Sequence, residues 1–242
     1  MGSRARRALR VAVSLGVLAI SAPAVAPAAD VPASEFTAVP DARGYVMVIH
    51  AGGWYIVGKG MLGLEYPNVA RLNRWRYSTL NVDYRKGAAG LDDVLRFHDE
   101  LRRRIGGAKL CVLGTSAGGH LALMLARRRP DVDCVITEAA PTYLPGLADP
   151  LLAVARRFFG PRGGLEKWSP ALHPPTAPIL LSQATNDTAV PFAQSTLMLH
   201  AAPHARRIVL HPGRQPWVHA AVRGKGLTRL YRAEHAFLDR AP

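Results

Sequence analysis

The sequence predicts an α/β fold: a minimal, mainly parallel sheet of about six strands flanked by helices on both faces. Three observations predict it. From Tyr45 onward, short apolar, β-branched runs alternate with longer amphipathic ones, the pattern of strands joined by crossover helices. The 242 residues are 49% hydrophobic and 20% charged, which suits one domain with a substantial core. No low-complexity tract, heptad run or internal repeat interrupts the pattern.

The strands read as "YVMVIH" (45–50), "STLNVDY" (78–84), "KLCVLG" (109–114), "DCVITEA" (133–139), "PILLSQA" (178–184) and "RIVLH" (207–211). Helices fit at about 64–76, 90–105, 117–129, 150–159, 192–202 and 227–239. This alternation covers both sheet faces, as a parallel sheet requires. Ligands in such sheets bind where loops leave the carboxyl ends of the strands, so function is sought just after each strand.

The first residues follow a different logic. "MGSRARRALR" carries four arginines and no acid, "VAVSLGVLAI" is a ten-residue apolar run, and "SAPAVAPAAD" supplies small residues in several A-x-A frames. These are the parts of a signal peptide, residues 1–29, ahead of a domain at 30–242. The apolar run is about half the roughly 20 residues needed to span a bilayer, so export is preferred to an anchor and no stable membrane insertion is expected after cleavage. Arg6-Arg7-Ala8-Leu9 resembles a twin-arginine signal with Ala5 where a polar residue is usual, which leaves the Sec and twin-arginine routes both open. Competing frames place cleavage between Ala24 and Ala29. The expected location is secreted, periplasmic or cell envelope.

Cys111 and Cys134 fall in two neighbouring strands of this reading. An oxidising compartment permits a disulfide, while buried free thiols are the alternative, because parallel strands present side chains awkwardly for the bond. The formal charge is +14, and it stays positive once Arg4, Arg6, Arg7 and Arg10 leave with the signal. The arginines sit at segment ends, as in "LARRRP", without aromatic interleaving or a recognisable module, so a solvated surface is expected and no nucleic-acid partner.

The chemistry begins at "LGTSAGGHL". Gly114-Thr115-Ser116-Ala117-Gly118 matches G-x-S-x-G between a strand and a helix, the context that gives the pattern meaning. Reversing from strand to helix in so few residues strains the central backbone and crowds the positions two either side. Glycines at 114 and 118 relieve that crowding, and Ser116 stands at the apex beside the first N–H groups of the helix.

A serine hydroxyl needs a base, and the base a carboxylate. Of nine histidines, His219 lies in the loop after the last predicted strand, where a base can reach over the sheet edge; His211 and His235 are the alternatives. Asp187 follows the fifth predicted strand, giving the order Ser, Asp, His; Asp149 and Glu138 are runners-up, and a helix-capping turn is the competing role for Asp187. "HAGGW" after the first predicted strand offers the N–H groups of Gly52 and Gly53 as an oxyanion hole, with Ala117 N–H opposite.

With these residues in place, the chain resembles an α/β-hydrolase fold esterase or lipase, close to the hormone-sensitive-lipase-like and feruloyl-esterase or acylaminoacyl-peptidase-like branches. "HAGGW" stands for H-G-G-G-W, "VDYR" precedes the elbow, "GTSAGGHLAL" matches the elbow helix, and "SPALHPPTAPILLSQATNDTAVPFAQS" resembles the stretch carrying the acid. Three departures stand out: Ala51 replaces a glycine, "KGAAGLDDV" follows "VDYR" without the usual longer insert, and "PWVHAAV" lacks a glycine beside the histidine. About fifteen residues between a cleaved signal and the first predicted strand leave little room for a lid. The segment Tyr143 to Trp168 is expected to form a pocket wall, with Trp54 and Tyr143 as pocket residues and Leu151, Leu152 and Phe159 packing into the core.

The resemblance implies an exported enzyme that hydrolyses small-molecule or polymer-borne carboxylic esters through an acyl-serine. No cofactor is needed, and no metal-ligand spacing is present. Two rivals remain: a serine peptidase of the acylaminoacyl or prolyl-oligopeptidase-like type, against which the absence of a gating domain weighs, and a non-catalytic envelope protein that binds glycans or lipids on the same scaffold. The oligomeric state is not legible in these residues.

Overall fold

The computed structural model describes residues 32–211, 219 and 225–242. The expected signal peptide lies outside the described residues, as do the immediate neighbours of His219 in the chain. Seven strands form one sheet: β1 (Ser34–Thr37), β2 (Tyr45–Ile49), β3 (Ser78–Val82), β4 (Leu110–Thr115), β5 (Cys134–Glu138), β6 (Ile179–Ala184) and β7 (Ala205–Leu210). The helices between them are α1 (Tyr66–Arg74), α2 (Ala89–Ile105), α3 (Ala117–Arg128), α4 (Leu151–Phe159) and α5 (Ala193–Ala201), and α6 (Lys225–Arg240) follows β7. All six expected strands and six expected helices are present.

The spatial order is β1-β3-β2-β4-β5-β6-β7. Every pairing from β3 to β7 is parallel. β1 is the addition to the expected sheet: it runs antiparallel to β3, with Ser34 opposite Val82 and Thr37 opposite Thr79. Its four residues, SEFT, carry one large apolar side chain, Phe36, which stacks on Tyr45. So short a segment has no periodicity to read, and β3 recruits it as an edge.

The strand period of two sorts the core into faces. Val46, Val48, Cys111, Leu113, Cys134 and Ile136 meet Leu72 of α1 and Leu238 of α6 on one side. Met47, Ile49, Val112 and Val135 meet residues of α2, α3, α4 and α5 on the other. The helices change face where the strand order reverses, as right-handed crossovers demand. After β2 the chain steps outward to β3 through α1; after β3 it returns past β2 to β4 through α2 and continues in that direction. The carboxyl ends of β2 and β4 therefore lie side by side at the switch point, where α/β sheets place their ligands.

Cys111 and Cys134 are direct register partners on β4 and β5, with Cα atoms 4.6 Å apart, and they form a disulfide. Among the described residues, no helix is long and apolar enough to cross a membrane, and no group of three or more His, Cys, Asp or Glu side chains is arranged to hold a metal ion.

Candidate active site

Ser116 occupies the turn between β4 and α3 with φ 51° and ψ −117°. L-residues rarely adopt this conformation, and it persists only where the surroundings enforce it. The enforcement is visible at the flanking glycines. A Cβ at Gly114 would lie 2.3 Å from the carbonyl oxygen of Gly118, and a Cβ at Gly118 would lie 2.1 Å from that of Ile49. Strand and helix approach to the limit of bare backbone, which leaves the intervening serine at the apex. The Ser116 N–H donates to the Glu138 carbonyl at 2.7 Å, fixing the turn to β5.

His219 places Nε2 2.8 Å from Ser116 Oγ and faces Asp187 with Nδ1, 2.9 Å from Oδ2 and 3.2 Å from Oδ1. Asp187 is 5% exposed. It also accepts the N–H groups of Ala189 at 3.0 Å and Val190 at 2.9 Å, and Gln183 Nε2 at 3.1 Å. The turn role and the histidine-facing role weighed for this residue are thus performed by one carboxylate, whose local hydrogen bonds hold it rigid. No hydrogen bond links the side chains of the other candidates to His219 or to Ser116 Oγ among the described residues. His211 and Asp149 are exposed, His235 stacks on Trp75, and the Glu138 carboxylate is engaged by Arg71 at 3.4 Å.

Gly52 and Gly53, in the loop after β2, have φ of 134° and 59°, values that glycine adopts without strain. The Gly52 carbonyl closes a turn by accepting the N–H groups of Tyr55 and Ile56. Among the described residues, the N–H groups of Gly52, Gly53 and Ala117 have no protein acceptor. Ala117 opens α3, where the helix dipole adds partial positive charge. The loop is tied down beneath: Tyr84 Oη donates to the His50 carbonyl at 3.0 Å, and His50 Nε2 faces Asp83 Oδ1 at 3.0 Å while its ring stacks on Tyr84. Burial pushes the Tyr84 phenol well above its usual range, so it acts as a neutral donor.

Two expected pocket residues are placed elsewhere. Trp54 is fully buried; its positive φ of 64° belongs to a turn that carries the indole into the core. There Nε1 donates to His120 Nδ1 at 3.2 Å, and the ring meets His120 and Phe159 edge to face. Tyr143 has its N–H and carbonyl satisfied by the Gln194 side chain, and it forms no part of the cavity beside His219. That cavity, about 410 Å³, is walled by Ala51, Glu65, Thr115, Glu138, Ser182 and His219 together with apolar side chains, including Leu230 of α6. The expected packing of Phe159 into the core is observed, and Leu151 and Leu152 pack against the same cluster.

The walls include residues that sequence reasoning passed over. Glu65 is 2% exposed, and burial together with the charge of Glu138 raises its carboxyl to about 7. In the sequence it looks like an ordinary charged residue at the start of a predicted helix. Nearby, Arg71 bridges Glu234 at 2.8 Å and Glu138, under the ring of Tyr231; burial raises the Glu234 carboxyl well above its usual range. His120, also fully buried, donates from Nε2 to the Trp168 carbonyl at 2.7 Å and is lowered to about 4 by burial.

The family described as the prolyl oligopeptidase family matches residues 77–240. No curated protein matches the chain. Among solved structures, esterase 2 of Thermogutta terrifontis, phosphonylated by sarin, superposes with a TM-score of 0.70 at 17% identity, over 85% of this chain and 88% of that one. The acetyl ester-xyloside bifunctional hydrolase of Caldicellulosiruptor lactoaceticus gives 0.67 at 18% identity, over 90% and 91%. The monoacylglycerol lipase of Paleococcus ferrophilus gives 0.62 at 16% identity, over 86% and 98%. At these identities the likeness is one of fold.

Proposed function

The chain belongs to the prolyl oligopeptidase family within the α/β-hydrolase fold, and from that premise we propose that it is an exported serine esterase cleaving carboxylic esters through an acyl-serine. One observation carries the reading: the continuous contact from Asp187 through His219 to Ser116 Oγ.

His219 Nε2 takes the Ser116 proton as Oγ attacks the ester carbonyl. The carbonyl oxygen becomes an oxyanion held by the three amides, while Asp187 steadies the imidazolium and fixes its tautomer. Nε2 then returns the proton to the departing alcohol as the tetrahedral intermediate collapses. Water, deprotonated by the same nitrogen, attacks the acyl-serine, and collapse of the second tetrahedral intermediate returns that proton to Ser116 Oγ as the acid leaves.

The signal-like residues 1–29 and the disulfide support export, because such bonds persist in oxidising compartments. N-terminal sequencing of the mature protein tests this point, and an intact N-terminus would sink it. No nucleic-acid partner and no lasting membrane insertion belong to the proposal.

The family match favours a second reading, cleavage of peptides by the same serine. Turnover of a short nitrophenyl ester against an aminoacyl amide separates the two, with Ser116→Ala as control. The proposal expects the ester to be strongly preferred and Ser116 to be labelled by a fluorophosphonate probe. Preference for the amide supports the peptidase, and an unlabelled, folded protein supports a binding role on the same scaffold.

A further inference from the structure

The loop that carries Gly52 and Gly53 is closed internally by the Gly52 carbonyl, which accepts from Tyr55 and Ile56, but these bonds fix its shape and not its direction. Its aim must be set from outside. On one side Tyr84 and Asp83 hold His50. On the other, a single carboxylate reaches both halves of the reaction centre. Glu65, which ends the short helical turn Lys59–Glu65 before α1, lies in the same cavity wall as Ala51, whose backbone favours its ionised form. Its Oε2 accepts from Asn68 Nδ2 at 2.6 Å and from Thr115 Oγ1 at 3.4 Å. Ala51 directly precedes Gly52; Thr115 directly precedes Ser116.

On the basis of the hydrolase reading, we propose that Glu65 is a positioning residue. Its carboxylate clamps the loop after β2 against the serine turn after β4, so that the amides of Gly52 and Gly53 stay aimed at the carbonyl Ser116 attacks.

The chemistry of the clamp requires a carboxylate. Asn68 and Thr115 both donate to its Oε2 beside the backbone of Ala51, and an ionised carboxyl group is the side chain that accepts several donors and donates nothing. Burial of such a group is unfavourable, and here Glu138 of β5 adds a like charge across the cavity. The other titratable groups around it are Tyr84 after β3, His219, Tyr231 of α6, and Arg71 of α1, which is committed to Glu138 and Glu234. A residue kept in the face of this penalty holds a geometry that an apolar side chain would not hold. Protonation removes acceptor capacity, so the clamp is weakest below about 7 and strongest above it.

The test is the rate at which a fluorophosphonate labels Ser116, measured from pH 6 to 9 in wild type, Glu65→Gln and Thr115→Val, alongside Tm. The amide of Glu65→Gln presents an NH2 group to one of the donors and opens the clamp, so the expected loss at pH 8 is about 10- to 100-fold, the scale of small misplacements in a reaction centre. Tm is expected to be unchanged or raised, because an unfavourable buried charge is gone, and the pH profile should lose one of its ionisations near 7. Thr115→Val, which removes one donor, should fall between the two. A merely structural Glu65 would instead give a lowered Tm with a wild-type labelling rate. Wild-type rates and pH dependence in both variants overturn the clamp, and Thr115→Val decides alone if Glu65→Gln does not fold. An unlabelled wild-type protein overturns the hydrolase reading itself.

Discussion

His219 Nε2 stands 2.8 Å from Ser116 Oγ, although 103 residues separate the two in the chain. The third member of the line is Asp187. Its Oδ1 already accepts the N–H groups of Ala189 and Val190, and Oδ2 lies 2.9 Å from Nδ1.

Asp187→Asn can keep the turn through its carbonyl oxygen while presenting NH2 to Nδ1. That geometry favours the wrong tautomer. The expected result is a fall in kcat of about 10³- to 10⁴-fold on a short ester with Tm little changed. Activity within tenfold of wild type would remove Asp187 from the mechanism.

The disulfide between Cys111 and Cys134 closes a loop with a sequence separation of 23 residues inside the core. Restricting the unfolded chain over that span is worth about 3 kcal/mol. The double variant Cys111→Ala, Cys134→Ala should lose stability of that order in urea unfolding. Intact mass of the unreduced wild type should be about 2 Da below that of the reduced form, the two hydrogens lost on forming one bond. Equal masses would show that the bond does not form.

Two buried groups give opposing pH dependences of stability. His120 titrates at about 4 when folded and near 6.5 when unfolded. Between these values the unfolded chain holds more protons, so this contribution is present above about 6.5 and is lost as pH falls towards 4. Glu65 titrates at about 7 when folded and near 4.5 when unfolded. Here the folded state holds more protons, and stability is lost as pH rises from 4.5 to 7. Each effect is of the order of 3 kcal/mol, and they largely cancel in wild type. Stability curves from pH 4.5 to 7.5 should therefore diverge: Glu65→Gln gains on wild type as pH rises, and His120→Gln gains on it as pH falls. Parallel curves would contradict both assignments.

Much of the fold was legible because its signals are local. Every strand from β2 to β7 is a short apolar run beside an amphipathic one, and the glycines at 114 and 118 announce the serine turn by their spacing alone. β1 escaped because four residues carry no period. Trp54, expected in the pocket, lies at a turn of positive φ that sends it into the core beside α3, where His120 supplies a partner for its N–H. Glu65 escaped for a related reason. A charged residue at the head of a helix looks solvated until the loop after β2 and the turn after β4 are seen to close over it.

The sequence by itself determined the alternation of strand and helix, the strained turn at Ser116 and the order of its partners, because spacing, periodicity and the steric demands of glycine act over a few residues. Only the tertiary structure decided which imidazole reaches the hydroxyl, which carboxylate faces it, whether the two thiols join, and which side chains wall the cavity. Those outcomes depend on the reversal of strand order between β2 and β4 and on sheet register, which bring distant segments within hydrogen-bond range.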